Sequence, residues 1–350
     1  MTSALALERC RVLFQQSARA ILILSAIAVG LTSTGWAQFA SPGDFLDPAD
    51  RKLFVDYAYF RTEDSNTVRL ELYYKVFNEG LTFVKHADEY YAEYELVVAI
   101  DDKDGDRVET LSSDRRIVVA AAERTRSVSD FRTSQINRNL PVGKYNIEFS
   151  LRDKNDQKVT RRELKIKLPD FRDDRAVMSP VEFVQAFSKR NEKASVFDKG
   201  EMAVVPSVTH TFGGDEGGRL VYYFEIYKGS GSDEKVTVET LVRHRSNDLV
   251  YRDTLSVVFG SETERQLREI SLDEFSPGEY ELEIRLLGRR MKKLSQQKYP
   301  FEVLWTLSGL IRNDWESTVE QLSIICEPGE TDQMEKLTTF EERKRAFEEF

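Results

Sequence analysis

The sequence predicts a mainly β protein: two tandem immunoglobulin-like antiparallel β-sandwich domains followed by a short α-helical C-terminal segment. Three observations carry this. Pro141-Val142-Gly143-Lys144-Tyr145-Asn146-Ile147-Glu148-Phe149 and Pro277-Gly278-Glu279-Tyr280-Glu281-Leu282-Glu283-Ile284 repeat one phrase, a Gly-x-Tyr turn running into a strand with apolar residues at every second position. Period-two alternation between turn signals recurs before and between the two phrases, as in a sandwich. Beyond Leu307 the apolar spacing changes to three and four, which is helical.

Residues 1–37 read as a secretory leader. Arg9, Arg11 and Arg19 make a basic start, residues 20–31 an apolar stretch, and Gly35 and Ala37 the small-residue cleavage site. The apolar stretch is shorter than the ~20 residues a bilayer span takes, and no later run approaches that length. The expected mature protein is therefore exported, periplasmic or extracellular, with no integral membrane segment after cleavage. Cys10 lies in the leader, far from where a lipidated cysteine would sit.

Residues 38–52 form an aperiodic lead-in, and the first sandwich is expected over 53–169. Val68, Leu70, Leu72, Tyr74 and Val76 alternate with Arg69, Glu71, Tyr73 and Lys75, giving one buried and one wet face. Tyr94, Leu96, Val98 and Ile100 repeat the pattern, Lys103-Asp104-Gly105-Asp106 turns the chain, and 115–122 read as the next strand. Lys154-Asn155-Asp156-Gln157 turns the chain again into a last strand with Leu164, Ile166 and Leu168 inward.

The charged, aperiodic stretch 170–178 is the expected linker, and the second sandwich is expected over 179–305. Ser179-Pro180-Val181-Glu182 has the form of a helix start, but Val181, Phe183, Gln185 and Phe187 alternate, which favours a strand. Gly213–Gly218 and Gly229-Ser230-Gly231-Ser232 read as hairpin loops. Residues 306–350 are the helical segment, the start of a C-terminal domain expected to continue beyond Phe350. Trp315, Val319, Leu322 and Ile325 line one helix, ended by Pro328-Gly329. Thr339-Phe340-Glu341-Glu342 is a capping box for a second.

The chain carries 50 Lys and Arg against 60 Asp and Glu, a formal net charge of −10. That excludes sequence-independent nucleic-acid binding, which needs a basic face. Beyond Cys10 stands only Cys326, so no internal disulfide is expected and each domain relies on its own core. Cys326 reads as a buried thiol beside Ile324 and Ile325, or else as a thiol that pairs with another chain.

Few residues point to chemistry. His86, His210 and His244 are scattered, without a second ligand at metal spacing. Asp102, Asp104 and Asp106 have the spacing of three calcium ligands, but Gly105 precedes the third, no Glu closes the loop, and strands flank it. A hairpin turn is the better reading, with a weak cation site as the alternative. No nucleophile elbow, phosphate loop or dinucleotide fingerprint occurs, and the sequence implies no cofactor. Tyr145 and Tyr280, after Gly143 and Gly278, read as structural tyrosine corners. Tyr73, Tyr91 and Tyr223 are candidates for an exposed ligand platform, against plain core packing.

The second domain's Val204-Val205-Pro206, Phe212 and Leu220-Val221-Tyr222-Tyr223-Phe224-Glu225-Ile226-Tyr227 resemble the P…F…YYEIY stretch of bacterial GWxTD domain-containing proteins. Residues 334–350 resemble the opening helix of that family's C-terminal domain. The Gly-Trp-x-Thr-Asp signature itself does not occur, so the resemblance places it beyond Phe350; Gly35-Trp36 belongs to the leader. The resemblance implies an exported bacterial protein without an established activity. The expected function is accordingly a non-enzymatic interaction or spacer module of the cell envelope with a protein partner. The alternatives are a carbohydrate-binding module of a surface complex and the accessory region of an enzyme whose catalytic domain follows residue 350.

Overall fold

The structure is a computed structural model that describes residues 52–127, 130–213, 218–304, 311, 315–325 and 331–349. The leader, Cys326, the Pro328-Gly329 stop and Phe350 lie outside the described residues.

The first sandwich holds β1 (Leu53–Arg61), β2 (Thr67–Phe77), β3 (Val84–His86), β4 (Glu89–Asp102), β5 (Arg107–Val119), β6 (Phe131–Pro141), β7 (Gly143–Asp153) and β8 (Val159–Leu168). One sheet runs β1-β2-β6; the other runs β3-β4-β7-β8, with β5 also on β4. All pairings in both are antiparallel. The inward residues are those the alternation marks: Val68, Leu70, Leu72 and Tyr74 from β2 meet Tyr94, Leu96, Val98, Ile147 and Phe149 from β4 and β7 in one core. Two boundaries differ from expectation. β5 begins directly after the turn and ends at Val119, and Ala122–Arg126 is a 3₁₀ helix.

The second sandwich holds β9 (Val177–Met178), β10 (Glu182–Lys189), β11 (Asp198–Lys199), β12 (Met202–Pro206), β13 (Thr211–Phe212), β14 (Arg219–Tyr227), β15 (Lys235–His244), β16 (Leu249–Val258), β17 (Thr263–Ser271), β18 (Gly278–Leu287) and β19 (Lys293–Val303). One sheet runs β11-β12-β10-β14-β17, with β9 also on β14; the other runs β13-β19-β18-β15-β16. Pairing is antiparallel except for the short β13–β19 contact. The core joins Leu220, Tyr222, Phe224 and Ile226 to Val238, Val242, Leu282, Ile284 and Phe301.

Residues 182–189 form a strand, so alternation outweighs the helix-start signal. Ser179 explains why: its backbone pairs with Glu225 (N to O, 2.9 Å), and its hydroxyl accepts from the Glu225 N–H (2.9 Å). The two glycine loops are not hairpins. The strands flanking each, β13 and β14, then β14 and β15, lie in opposite sheets; residues 214–217 of the first lie outside the described residues.

The linker is shorter than expected, because Val177 and Met178 already pair with Tyr227 and Ile226. It is also gripped. Gly231 N–H donates to Asp174 O (2.8 Å), and the Ser230 hydroxyl donates to Asp174 Oδ1 (2.8 Å). A Cβ on Gly229 would sit 2.3 Å from Arg175 O, so only glycine allows this close approach.

The helical segment contributes α1 (Trp315–Ile325) and α2 (Phe340–Glu349). Ile311, Trp315, Val319, Leu322 and Met334 form a small core, with Leu337, Phe340, Ala346 and Phe347 against it. Trp315 Nε1 donates to Met334 O (3.0 Å). The capping box closes reciprocally: Glu342 N–H donates to the Thr339 hydroxyl and Thr339 N–H to Glu342 Oε2, each at 3.3 Å. Among the described residues no helix is long and apolar enough to cross a membrane.

Candidate functional site at the interdomain seam

The face of β2 that alternation marks as wet is not wet. Glu71 is 1% exposed and Tyr73 fully buried. They meet the second domain, where Val221, Tyr223 and Glu225 of β14 are likewise covered. Ala58, Phe60, Tyr73, Val184, Val204, Val208, Val221 and Tyr223 form one apolar cluster drawn from both domains. Strands β2 and β14 are therefore buried on both faces, and the two sandwiches stack along a seam.

At the centre of the seam stands Lys199. Its side chain is 0% exposed, with Nζ 2.5 Å from Glu71 Oε2 and 2.8 Å from Glu182 Oε2. Phe60 and Tyr223 present ring faces to the ammonium, with centroids 4.0 and 5.2 Å away. Glu71 is well supplied: it accepts from the Tyr73 hydroxyl (2.8 Å) and Gln135 Nε2 (3.0 Å), and Arg69 Nε lies 3.0 Å from its second oxygen. Glu182 is not. It has the lysine, while its Oε1 has no hydrogen-bond partner among the described residues. Burial therefore pushes the Glu182 carboxyl up, to about 7, against the pull of Lys199 and with the help of the Glu71 charge. The phenol of Tyr73 is pushed well above its usual range by burial and by Glu182 and Glu71, so it stays a donor.

A second buried carboxylate motif adjoins the first. Glu225 accepts from the hydroxyls of Tyr223 (2.7 Å) and Tyr227 (2.9 Å), and Arg265 approaches from the rim at 3.4 Å. Direct bonds then cross the seam at separate strands. Arg61 N–H donates to the Tyr227 hydroxyl (2.9 Å), and the Arg61 guanidinium to Glu262 O (2.7 Å). Gln135 and Asn137 both donate to Val196 O, at 2.8 and 3.1 Å. His210 Nε2 lies 2.8 Å from Asp56 Oδ2, its backbone held at φ 53°, a left-handed conformation that is costly for a non-glycine residue. Phe171 of the linker packs edge-on against Tyr227 (4.9 Å). Beside it opens a cleft of about 730 Å³, whose lining includes Arg61, Phe171, Asp173, Lys228 and Glu262.

The candidate platform is not assembled. Tyr73 and Tyr223 are inside the seam, on two sheets that face each other, while Tyr91 lies on β4 in a third sheet. The reason is that both sides of β2 and β14 have an apolar neighbour, so neither tyrosine of each pair points to water. Tyr91 belongs instead to a surface row: it stands in register between Val84 and Val118, which are 40% and 44% exposed. Arg116 lies over its ring (4.5 Å) and His86 against its edge (6.5 Å).

Asp102, Asp104 and Asp106 form the β4–β5 turn. Asp102 Oδ1 accepts from the N–H groups of Asp104 (2.8 Å) and Asp106 (3.0 Å), and Gly105 takes φ 87°. Asp104 pairs with Lys103 (2.6 Å). Among the described residues no group of three or more His, Cys, Asp or Glu side chains is placed to hold a metal ion. The hydroxyls of Tyr145 and Tyr280 donate to Pro141 O (2.9 Å) and Ser276 O (2.7 Å), each four residues back. The two glycines differ. Gly278 takes φ 149°, whereas Gly143 does not adopt a positive φ.

No family model matches the chain, and no curated protein does. Among solved structures, the chain is similar to red sea bream transglutaminase (10% identity, TM-score 0.20, 72% of this chain and 31% of that one). It is similar to a calcium binding mutant of Bacteroides uniformis beta-glucuronidase 2 (10%, 0.23, 80% and 30%). It is also similar to a glycosyl hydrolase family 2 member from Bacteroides cellulosilyticus (11%, 0.27, 66% and 28%). The chain thus spans less than a third of the length of each.

Proposed function

We propose that this chain acts by binding rather than by catalysis, as an exported spacer and interaction module of the bacterial cell envelope. In this reading the two sandwiches form one stiff body that holds the helical segment at a fixed distance for a protein partner. The observation that carries the reading is the seam. Inter-domain contacts inside a chain are commonly polar and permit relative motion; this one has an apolar cluster, a fully covered ammonium and hydrogen bonds from several strands. Its charged groups are closed to substrates by the two domains that contribute them. The resemblance to GWxTD domain-containing proteins and the leader-like 1–37 support the envelope placement. The row Val84, Tyr91 and Val118, an aromatic flanked by exposed aliphatics, is the partner surface of this reading.

Spin labels at Val118 and Val258, exposed positions on different domains, test the stiffness. One narrow distance distribution is expected; a broad one sinks the spacer. Fractionation of tagged cells tests the placement, and recovery of the uncleaved chain in the cytoplasm alone sinks that part.

A further inference from the structure

We propose that the seam is a proton-tightened latch, in which Glu182 takes up a proton to close the two sandwiches on each other and gives it up as they loosen. The argument begins with the charges sealed from water. Glu71, Glu182 and Glu225 have side chains 2%, 1% and 5% exposed, and the cation that bridges two of them, Lys199, is 0% exposed. Arg69 and Arg265 reach in from the rim, with side chains 32% and 45% exposed, so water screens part of what they offer.

Glu71 and Glu225 each accept hydrogen bonds from neutral donors: Tyr73 and Gln135 for the first, Tyr223 and Tyr227 for the second. Glu182 has neither. The charges and phenols that face it are Lys199 from β11, Glu71 and Tyr73 from β2, and Tyr223, its register partner, from β14; Asp56 of β1 and Glu225 of β14 act on those two phenols in turn. It is the carboxylate with the least return for being charged, and the group whose protonation relieves the excess.

The sign follows. The folded carboxyl titrates at about 7 against an ordinary 4.5. Between those values the folded state binds the extra proton, so the stabilisation is complete below about 4.5 and lost as pH rises through about 7. The seam thus tightens in acid and slackens in base, whatever partner the module serves.

The experiment is urea unfolding of the full chain at a series of pH values from 5 to 8.5, for wild type and Glu182→Gln, the uncharged isostere. The wild-type unfolding constant is expected to rise with pH, on the order of 100-fold over the range, and the variant is expected to lose most of that rise. Parallel pH profiles for the two proteins overturn the proposal. Should Glu182→Gln fail to fold, the wild type alone still decides, since stability that is flat or rises with pH overturns the latch. The result is separate from the stiffness measurement, which asks how broad the interdomain distance is rather than how it depends on protons.

Discussion

The first sandwich has two outward faces that read alike in sequence and fare oppositely. On β2, Arg69, Glu71 and Tyr73 alternate with core residues; on β4, Glu93, Glu95 and Val97 do the same. The β4 face stays in water and pairs its charges along the surface, Arg152 with Glu95 (2.7 Å) and Arg116 with Glu93 (3.6 Å). The β2 face is buried and needs a lysine from another domain to neutralise it. Alternation identifies the side that faces a strand's own core. It says nothing of what covers the other side, because a charge that will be desolvated and a charge that will be solvated are the same letter.

The widest separation between the faces is expected at Lys199→Met. It would leave Glu71 and Glu182 buried without their ammonium, and urea unfolding should report a loss of ~3–5 kcal/mol. A loss below ~1 kcal/mol would mean that water reaches the seam and that the contrast with β4 is false. A smaller effect should separate the two Gly-x-Tyr turns. Gly278→Ala forces φ 149° on a residue with a Cβ and brings that atom within 3.3 Å of His244, for about 1–2 kcal/mol. Gly143→Ala, with ordinary backbone and a Cβ in van der Waals contact with the Tyr145 ring (3.5 Å), should shift the thermal midpoint much less. Equal shifts would sink the distinction. Tyr145→Phe and Tyr280→Phe should each cost about 1 kcal/mol by removing one hydrogen bond to backbone, in both domains alike. Smallest of all, Arg152→Ala on the β4 face should change the urea midpoint by under ~0.5 kcal/mol. A change rivalling that of Lys199→Met would show that the outer face is not simply solvated.

Much of the fold was legible because burial on one side writes itself into every second residue. Both tyrosine turns, the β4–β5 and β7–β8 hairpins and both helices follow from such local patterns. β6 and β17 were harder to see: Phe131–Pro141 and Thr263–Ser271 are mostly polar, and their place comes from pairing with β2 and β14 rather than from their own composition. The seam left one readable sign. Leu220-Val221-Tyr222-Tyr223-Phe224 is a continuous apolar run, the mark of a strand covered on both faces, although the same letters also satisfy an alternating reading. Lys199 left none. It sits on a two-residue strand beside Gly200, and only the assembled domains give it two carboxylates.

The grip of Gly229 and Gly231 on the linker has a mechanical side. A chain pulled at its ends would transmit tension through β8 into residues 170–176 and meet the short β9–β14 ladder at once, since backbone lies on backbone at Gly229 and no slack can be drawn out. The load would fall on the junction and the seam together. The pair should therefore give way as one event, rather than as two beads unravelling in turn along a string.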